Sequence, residues 1–147
     1  MGGLHEGHAR LIRQAVAGSA EPGSVLVSVY INPLQFGEGE DFDCYPRSLE
    51  ADCLLAQRSG AAALWCPDDQ QIYPGGVSSG WRLQTPSTLQ SALCGPSRPG
   101  HFDGVCTVVS RLLALVQPRQ LWLGEKDWQQ LVILRRLVAD LGLPVRV

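Results

Sequence analysis

Two histidines three residues apart, His5 and His8, stand in the stretch Met1-Gly2-Gly3-Leu4-His5-Glu6-Gly7-His8, and their chemistry is the first to consider. Leu11, Ile12, Ala15 and Val16 follow at helical spacing, so the glycine-rich stretch feeds the N-terminus of a helix. Backbone N–H groups and the positive end of the helix dipole converge there, and glycines let an anion approach the main chain. Phosphate is the ligand this pattern favours. The imidazoles add directional donors, and the dipole disfavours charging them, which predicts at least one neutral histidine acting as a hydrogen-bond donor. Two other readings stay open. One is a capped surface helix with solvated histidines. The other is a zinc site from His5, His8 and His101, the three histidines of the chain, although His-x-x-His is not the His-Glu-x-x-His spacing of zinc peptidases.

The elements that must position these residues follow from hydrophobic patterning. Val25 to Ile31 is almost continuously apolar and β-branched and suits a buried parallel strand. It ends at Asn32-Pro33, because proline cannot donate to a central ladder, and the polar loop carrying Gln35 and Phe36 leaves the carboxyl end of the strand, where α/β sheets bind ligands. Ser48 is the expected N-cap of a helix to about Arg58, with Glu50 and Asp52 in its first turn and Gly60 past its end. Ala61 to Cys66 reads as a second strand. Tyr73 to Ser97, rich in proline and glycine, is expected to hold a strand and a small helix. From Asp103, the residues Val105, Val108, Val109, Leu112, Leu113 and Val116 mark one helix face, stopped by Pro118. Gln120 to Leu123 reads as a short strand, Gly124 to Asp127 as a turn, Leu131 to Leu141 as a helix ending at Gly142, and Val145 to Val147 as the start of another strand.

Strands alternating with helices predict a single α/β domain with a parallel sheet and helices on both faces. The glycine-rich turn has no strand before it and the chain finishes as a strand begins, so the domain is expected to be incomplete at both ends. The formal net charge is −2 with no basic run, which argues against a nucleic-acid partner. No apolar stretch reaches the roughly 20 residues of a membrane span, and no basic region with a hydrophobic run opens the chain, so a cytoplasmic protein is expected. Five cysteines without a Cys-x-x-Cys pair argue against a disulfide framework, and most are expected to be small buried hydrophobes.

Five stretches carry a more specific signal in their order and spacing: Met1 to His8, Tyr30-Ile31-Asn32-Pro33-Leu34-Gln35-Phe36-Gly37, Glu40 to Arg47, Arg98-Pro99-Gly100-His101-Phe102, and Gly124-Glu125-Lys126-Asp127-Trp128-Gln129-Gln130. Together they resemble the pantothenate synthetase (pantoate:beta-alanine ligase) family over nearly the whole chain. The resemblance implies a Rossmann-like nucleotidyltransferase domain of the HIGH type. It also implies a two-step reaction, in which pantoate and ATP give pantoyl adenylate and pyrophosphate, and beta-alanine then displaces AMP.

Residue by residue, the resemblance assigns Met1, Gly2, Gly3, Leu4, His5, Glu6, Gly7 and His8 to the first ATP loop, with His8 as proton donor and His5 beside it. Gly124, Glu125, Lys126 and Asp127 fall to a second ATP-contacting turn, with Lys126 at the phosphates. Gln35, Gln130 and His101 fall to pantoate, and Gln35 also to beta-alanine. Asp52 matches an acid that holds magnesium in some members, but the neighbouring matched positions are Ala51 and Leu55, which offer no ligand. Magnesium is expected to arrive with ATP, no organic cofactor is implied, and a homodimer is implied, with Trp81 to Thr85 as the contact segment.

By residue type alone, Gln35 and Gln130 are equally surface glutamines, Lys126 a solvated cation, Asp127 an N-cap and His101 a turn residue. Two further functional classes therefore stand beside the ligase: a noncatalytic nucleotide-binding or interaction module derived from it, and a zinc hydrolase using the three histidines. The family also carries a strand ahead of the histidine loop, a Met-Ser-Ser-Arg-like loop that closes over ATP, and a small C-terminal domain. Assayed alone with ATP, magnesium, pantoate and beta-alanine, the 147-residue chain is expected to release no AMP beside a version extended at both ends. Histidines misplaced by an ångström lose on the order of a hundredfold in rate. Comparable turnover by the two would overturn this expectation.

Overall fold

The computed structural model describes residues 2–37, 40, 42, 44–45 and 48–147. Met1 of the first loop and Asp41, Asp43, Pro46 and Arg47 of the acidic motif lie outside them. The chain forms two compact units, Met1–Ile31 with Asp43–Asp68, and Asn32–Phe42 with Asp69–Val147. It is an α/β protein with a parallel sheet.

The first unit holds α1 (Glu6–Gly18), β1 (Leu26–Ser28), α2 (Leu49–Arg58) and β2 (Ala63–Trp65). Ala9, Ile12 and Ala15 form the buried stripe of α1. β1 and β2 are parallel, with Leu26 opposite Ala63 and Ser28 opposite Trp65. Ala62 N–H to Val25 O (2.8 Å) and Val29 N–H to Trp65 O (2.9 Å) extend the pairing by one bond at each end. Both strands are shorter than their apolar runs suggest, because a ladder lasts only while both partners run side by side. Ser48 occupies the N-cap of α2, yet its side chain makes no capping bond; its carbonyl receives Asp52 N–H instead. Gly60 closes the helix at φ +92°, a left-handed conformation that favours glycine.

The second unit is built on α5 (His101–Val116) and α6 (Trp128–Asp140), with the short helices α3 (Asp69–Ile72) and α4 (Ser87–Gln90) and two 3-10 turns, Pro33–Gln35 and Glu125–Asp127. Phe102, Val105, Cys106, Ile133 and Leu134 form its core. α5 begins two residues before the expected Asp103, because Gly100 at φ +77° supplies a left-handed N-cap. It ends at Val116, with Gln117 as its C-cap just before Pro118.

Three strand expectations fail in this unit. Residues 120–123 and 145–147 reduce to one parallel bridge, Gln120 with Arg146. No strand forms among residues 73–97. There, Leu83 N–H donates to Thr107 Oγ1 (2.9 Å) and Thr85 N–H to Asp103 Oδ1 (2.7 Å), so side chains of α5 take the bonds that a neighbouring strand would.

The cysteine expectation is also corrected. Cys106 is buried, whereas Cys44, Cys53, Cys66 and Cys94 are exposed. Cys53 shows why: it follows the buried Asp52 on α2, and one helical step turns it to solvent. Among the described residues no helix is long and apolar enough to cross a membrane.

A Cβ placed on Gly104 would lie 2.1 Å from Leu34 O, so α5 meets the Pro33–Gln35 turn backbone to backbone. Gly104→Ala is expected to lower stability by about 1–3 kcal/mol or more, because the obstacle is main chain and cannot rotate away. Gly142→Ala, at φ +60° with open space around it, should cost only about 1–2 kcal/mol of left-handed strain. Urea unfolding of the two variants measures the difference.

Candidate functional site

In the first unit the two histidines cap their own helix. His5 is the N-cap of α1 in extended conformation, and its Nδ1 accepts Gly7 N–H at 3.1 Å. His5 N–H donates in turn to His8 Nδ1 at 3.2 Å, completing a reciprocal capping box with imidazoles in the places usually held by a hydroxyl and a carboxylate. An Nδ1 that accepts carries no proton, so each ring holds its proton on Nε2, the neutral donor tautomer. The rings lie 4.2 Å apart and tilted by 54°. A Cβ on Gly7 would approach His5 Cε1 to 2.9 Å, so a larger residue there would push the imidazole from its capping position.

Gly3 N–H and Leu4 N–H turn to Asp52, at 3.0 and 2.6 Å from its two carboxylate oxygens. The main-chain cradle expected from the glycines is therefore engaged internally: the N–H groups of Gly3, Leu4, His5 and Gly7 all have protein acceptors. Glu6 lies exposed in the first turn of α1.

The chemistry of Asp52 does not fit a magnesium ligand. It is 1% exposed with an N–H on each oxygen, its neighbours Ala51 and Leu55 offer no donor, and Mg2+ holds an octahedron of oxygens that usually includes several waters. The three-histidine zinc reading is also corrected, because among the described residues no three His, Cys, Asp or Glu side chains form a metal-holding group. His5 and His8 direct their Nδ1 atoms to backbone N–H groups. His101 is fixed in the second unit, by contacts of its own.

There, the His101 Nδ1–H donates to Gln35 O at 2.7 Å, and Nε2 receives Arg98 Nη1–H at 3.0 Å, which sets the neutral Nδ1–H tautomer. Arg98 grips Glu40 through two bonds, Nε to Oε1 at 2.8 Å and Nη2 to Oε2 at 2.9 Å. That grip holds the Glu40 carboxyl down at about 2. Burial pushes the His101 imidazole below its ordinary value, and the Arg98 charge adds to the effect against the bond to Gln35.

Asn32, 1% exposed, organises the same region. Its Nδ2 donates to Gly104 O at 3.0 Å, and its Oδ1 accepts the Tyr73 hydroxyl at 2.8 Å and Leu34 N–H at 3.3 Å. Burial raises the Tyr73 phenol to about 12, so it remains a donor. Gln35 is 7% exposed in the turn that Asn32 caps. A cleft of about 280 Å3 opens beside His101, lined also by Leu34, Phe36, Leu83, Asp103 and Thr107.

The adjacent glutamines of α6 part company. Gln129 is buried and fastens the 89–94 segment, donating to Leu89 O (3.0 Å) and Ala92 O (2.8 Å) and accepting Cys94 N–H (3.1 Å). Gln130, one helical step on, is half-buried. Gly124 precedes the 3-10 turn that holds Glu125, Lys126 and Asp127, all exposed. Asp127 occupies the N-cap of α6 without a side-chain capping bond. Sequence reasoning missed Asn32, Arg98, Glu40 and Gln129 as organisers. Asn before Pro is a readable cap signal, but nothing local links Asn32 to Gly104, 72 residues away.

A family model described as pantoate-beta-alanine ligase matches residues 1–147. The bifunctional pantoate ligase/cytidylate kinase of Synechococcus sp. strain WH7803 is 69% identical over 147 residues, covering 100% of this chain and 30% of that protein. The protein of the same description from Prochlorococcus marinus strain MIT 9313 is 68% identical over 148 residues, covering 100% and 29%. The chain thus spans about 30% of the length of these curated relatives. Among solved structures, a pantothenate synthetase from Thermus thermophilus superposes with a TM-score of 0.92 at 48% identity, covering 100% of this chain and 51% of that one. A pantoate-beta-alanine ligase from Francisella tularensis, complexed with beta-gamma ATP and beta-alanine, superposes with a TM-score of 0.91 at 37% identity, covering 99% and 54%.

The Glu40–Arg98–His101 chain carries a pH signature. Both Glu40 and His101 bind protons less readily folded than unfolded, so the stability they contribute is fully present above their ordinary values of 4.5 and 6.5 and is lost as pH falls through the folded values. Unfolding midpoints followed from about pH 7 to about pH 3 should begin to fall below 6.5, with the earliest part of the loss absent in His101→Gln. An NMR titration placing the His101 imidazole above 6.5 would contradict this.

Proposed function

Because the chain belongs to the pantoate-beta-alanine ligase family, we propose that its residues serve the ATP-dependent condensation of pantoate with beta-alanine. In the first step a pantoate carboxylate oxygen bonds to the α-phosphorus of ATP and the bond to pyrophosphate breaks, giving pantoyl adenylate. In the second, the beta-alanine amine attacks the acyl carbon, the carbon–oxygen bond to AMP breaks, and the amine gives up a proton. Activation is needed because an amine does not displace oxide from a carboxylate, whereas AMP is a competent leaving group.

The observation that carries this reading is the paired imidazoles with Nδ1 engaged and a proton on each Nε2. Two neutral donors set by a helix N-terminus suit the developing charge on phosphate oxygens and leaving group, and His8 is assigned the proton donation. Gly2, Gly3, Leu4, Glu6 and Gly7 shape the ATP loop, and Gly124, Glu125 and Asp127 the second nucleotide turn. Lys126, the single lysine of the chain and exposed, acts as a point cation at the phosphates.

Gln35 and Gln130 hold pantoate, and Gln35 also the beta-alanine side. A carboxamide binds hydroxyls and carboxylate without the full positive charge that would blunt the nucleophile. His101 acts through Gln35, whose carbonyl it fixes at 2.7 Å. Magnesium enters with ATP and keeps its waters. The complex of the Francisella relative with beta-gamma ATP and beta-alanine supports these substrates. Trp81, 98% exposed, supports a homodimer through the Trp81–Thr85 segment, and the whole is read as one cytoplasmic domain.

In the full-length protein, Gln130→Ala is expected to raise the pantoate concentration needed for pyrophosphate release while ATP binding holds. A lost polar substrate contact costs about 1–3 kcal/mol, or roughly five- to 150-fold. Lys126→Ala should cut pyrophosphate release at unchanged melting temperature, because an exposed cation contributes little to stability. Unchanged release at subsaturating pantoate in Gln130→Ala would remove the pantoate assignment. Nucleotide binding without any pyrophosphate release from the wild type would favour the noncatalytic module.

A further inference from the structure

We propose that Asp52 is a positioning residue for the histidine loop, and that it serves the reaction through backbone hydrogen bonds rather than through a metal. The proposal rests on the ligase reading above for its catalytic consequence, but its structural half stands on geometry alone. Asp52 lies on α2, 48 and 49 residues from the two N–H groups it accepts, Leu4 at 2.6 Å and Gly3 at 3.0 Å, one on each carboxylate oxygen. Gly3 sits at φ +70°, and a glycine in the left-handed region turns successive N–H groups toward a common point, forming a small anion-binding concavity.

The protein fills that concavity with its own carboxylate. Leu4 leads directly into His5, the N-cap, so the orientation of the Gly3–Leu4 backbone sets where His5 starts the capping box and where both Nε2–H groups point. The chain that carries position is therefore Asp52 to Gly3 and Leu4, Leu4 to His5, and His5 to Gly7 and His8. Burial to 1% exposure keeps water from competing for either oxygen.

Asp52→Asn keeps size and shape but leaves one acceptor oxygen and turns an NH2 toward the second N–H donor. The test uses the full-length protein and needs three readouts. In the wild type, amide exchange at Gly3 and Leu4 should be slowed by about tenfold or more, and 15N shifts should place the protons of His5 and His8 on Nε2. In Asp52→Asn, with melting checked to exclude unfolding, that protection should drop, the imidazole tautomers should mix, and adenylate formation should fall on the order of tenfold to a hundredfold in kcat at an unchanged magnesium requirement. The control Asp140→Asn, which loses an exposed pair with Arg136, should leave all three readouts unmoved.

Unprotected Gly3 and Leu4 amides in the wild type would overturn the clamp without any variant having to fold. Activity of Asp52→Asn restored by raised magnesium would overturn it in favour of a metal ligand. Protected amides in a wild-type protein that forms no adenylate would leave the clamp standing and remove the ligase reading alone.

Discussion

With two three-residue strands and one isolated bridge among the described residues, the loops of this chain have few neighbouring strands to take up their main-chain polar groups, and side chains reaching from helices take that part. Asp52 of α2 receives Gly3 and Leu4. On α5, His101 donates to Gln35 O, Asp103 receives Thr85 N–H, Thr107 receives Leu83 N–H, and Arg111 donates to Ile72 O. Gln129 of α6 closes the 89–94 segment. An unsatisfied buried N–H or C=O costs about 1–3 kcal/mol, so each of these side chains determines the path of a loop.

That constraint explains why chemistry and scaffolding overlap in some motif residues and separate in others. His5, His8 and His101 each spend Nδ1 on a backbone partner, which fixes the tautomer before any ligand arrives. Lys126 instead lies exposed on its turn, and Gln130 leaves the fastening of the 89–94 segment to its neighbour Gln129. One peptide unit and about a hundred degrees of helix divide the buried Gln129 from the half-buried Gln130. In the same way, Arg98, itself gripped by Glu40, holds Nε2 of the His101 ring while Gln35 O accepts the Nδ1–H, so the ring's protonation is coupled to a buried turn.

Much of this was legible in the chain itself. The 3.6-residue periodicity placed α1, α5 and α6, the β-branched run placed β1, and Gly60 marked the end of α2, because these are local consequences of side-chain pattern and backbone preference. The five ordered motifs were enough to identify the family. Tertiary structure decided the rest. Strand length depends on a partner, so 120–123 and 145–147 became a bridge and 73–97 bonded to α5. Whether an acid on a helix faces a metal, solvent or a distant amide depends on what packs against it, and Asp52 meets residues 48 and 49 positions away. Gly104 matters because Leu34 O arrives from another segment at a distance no Cβ tolerates. Local pattern fixes which backbone groups a segment satisfies for itself, and only the folded chain brings in partners for those it cannot.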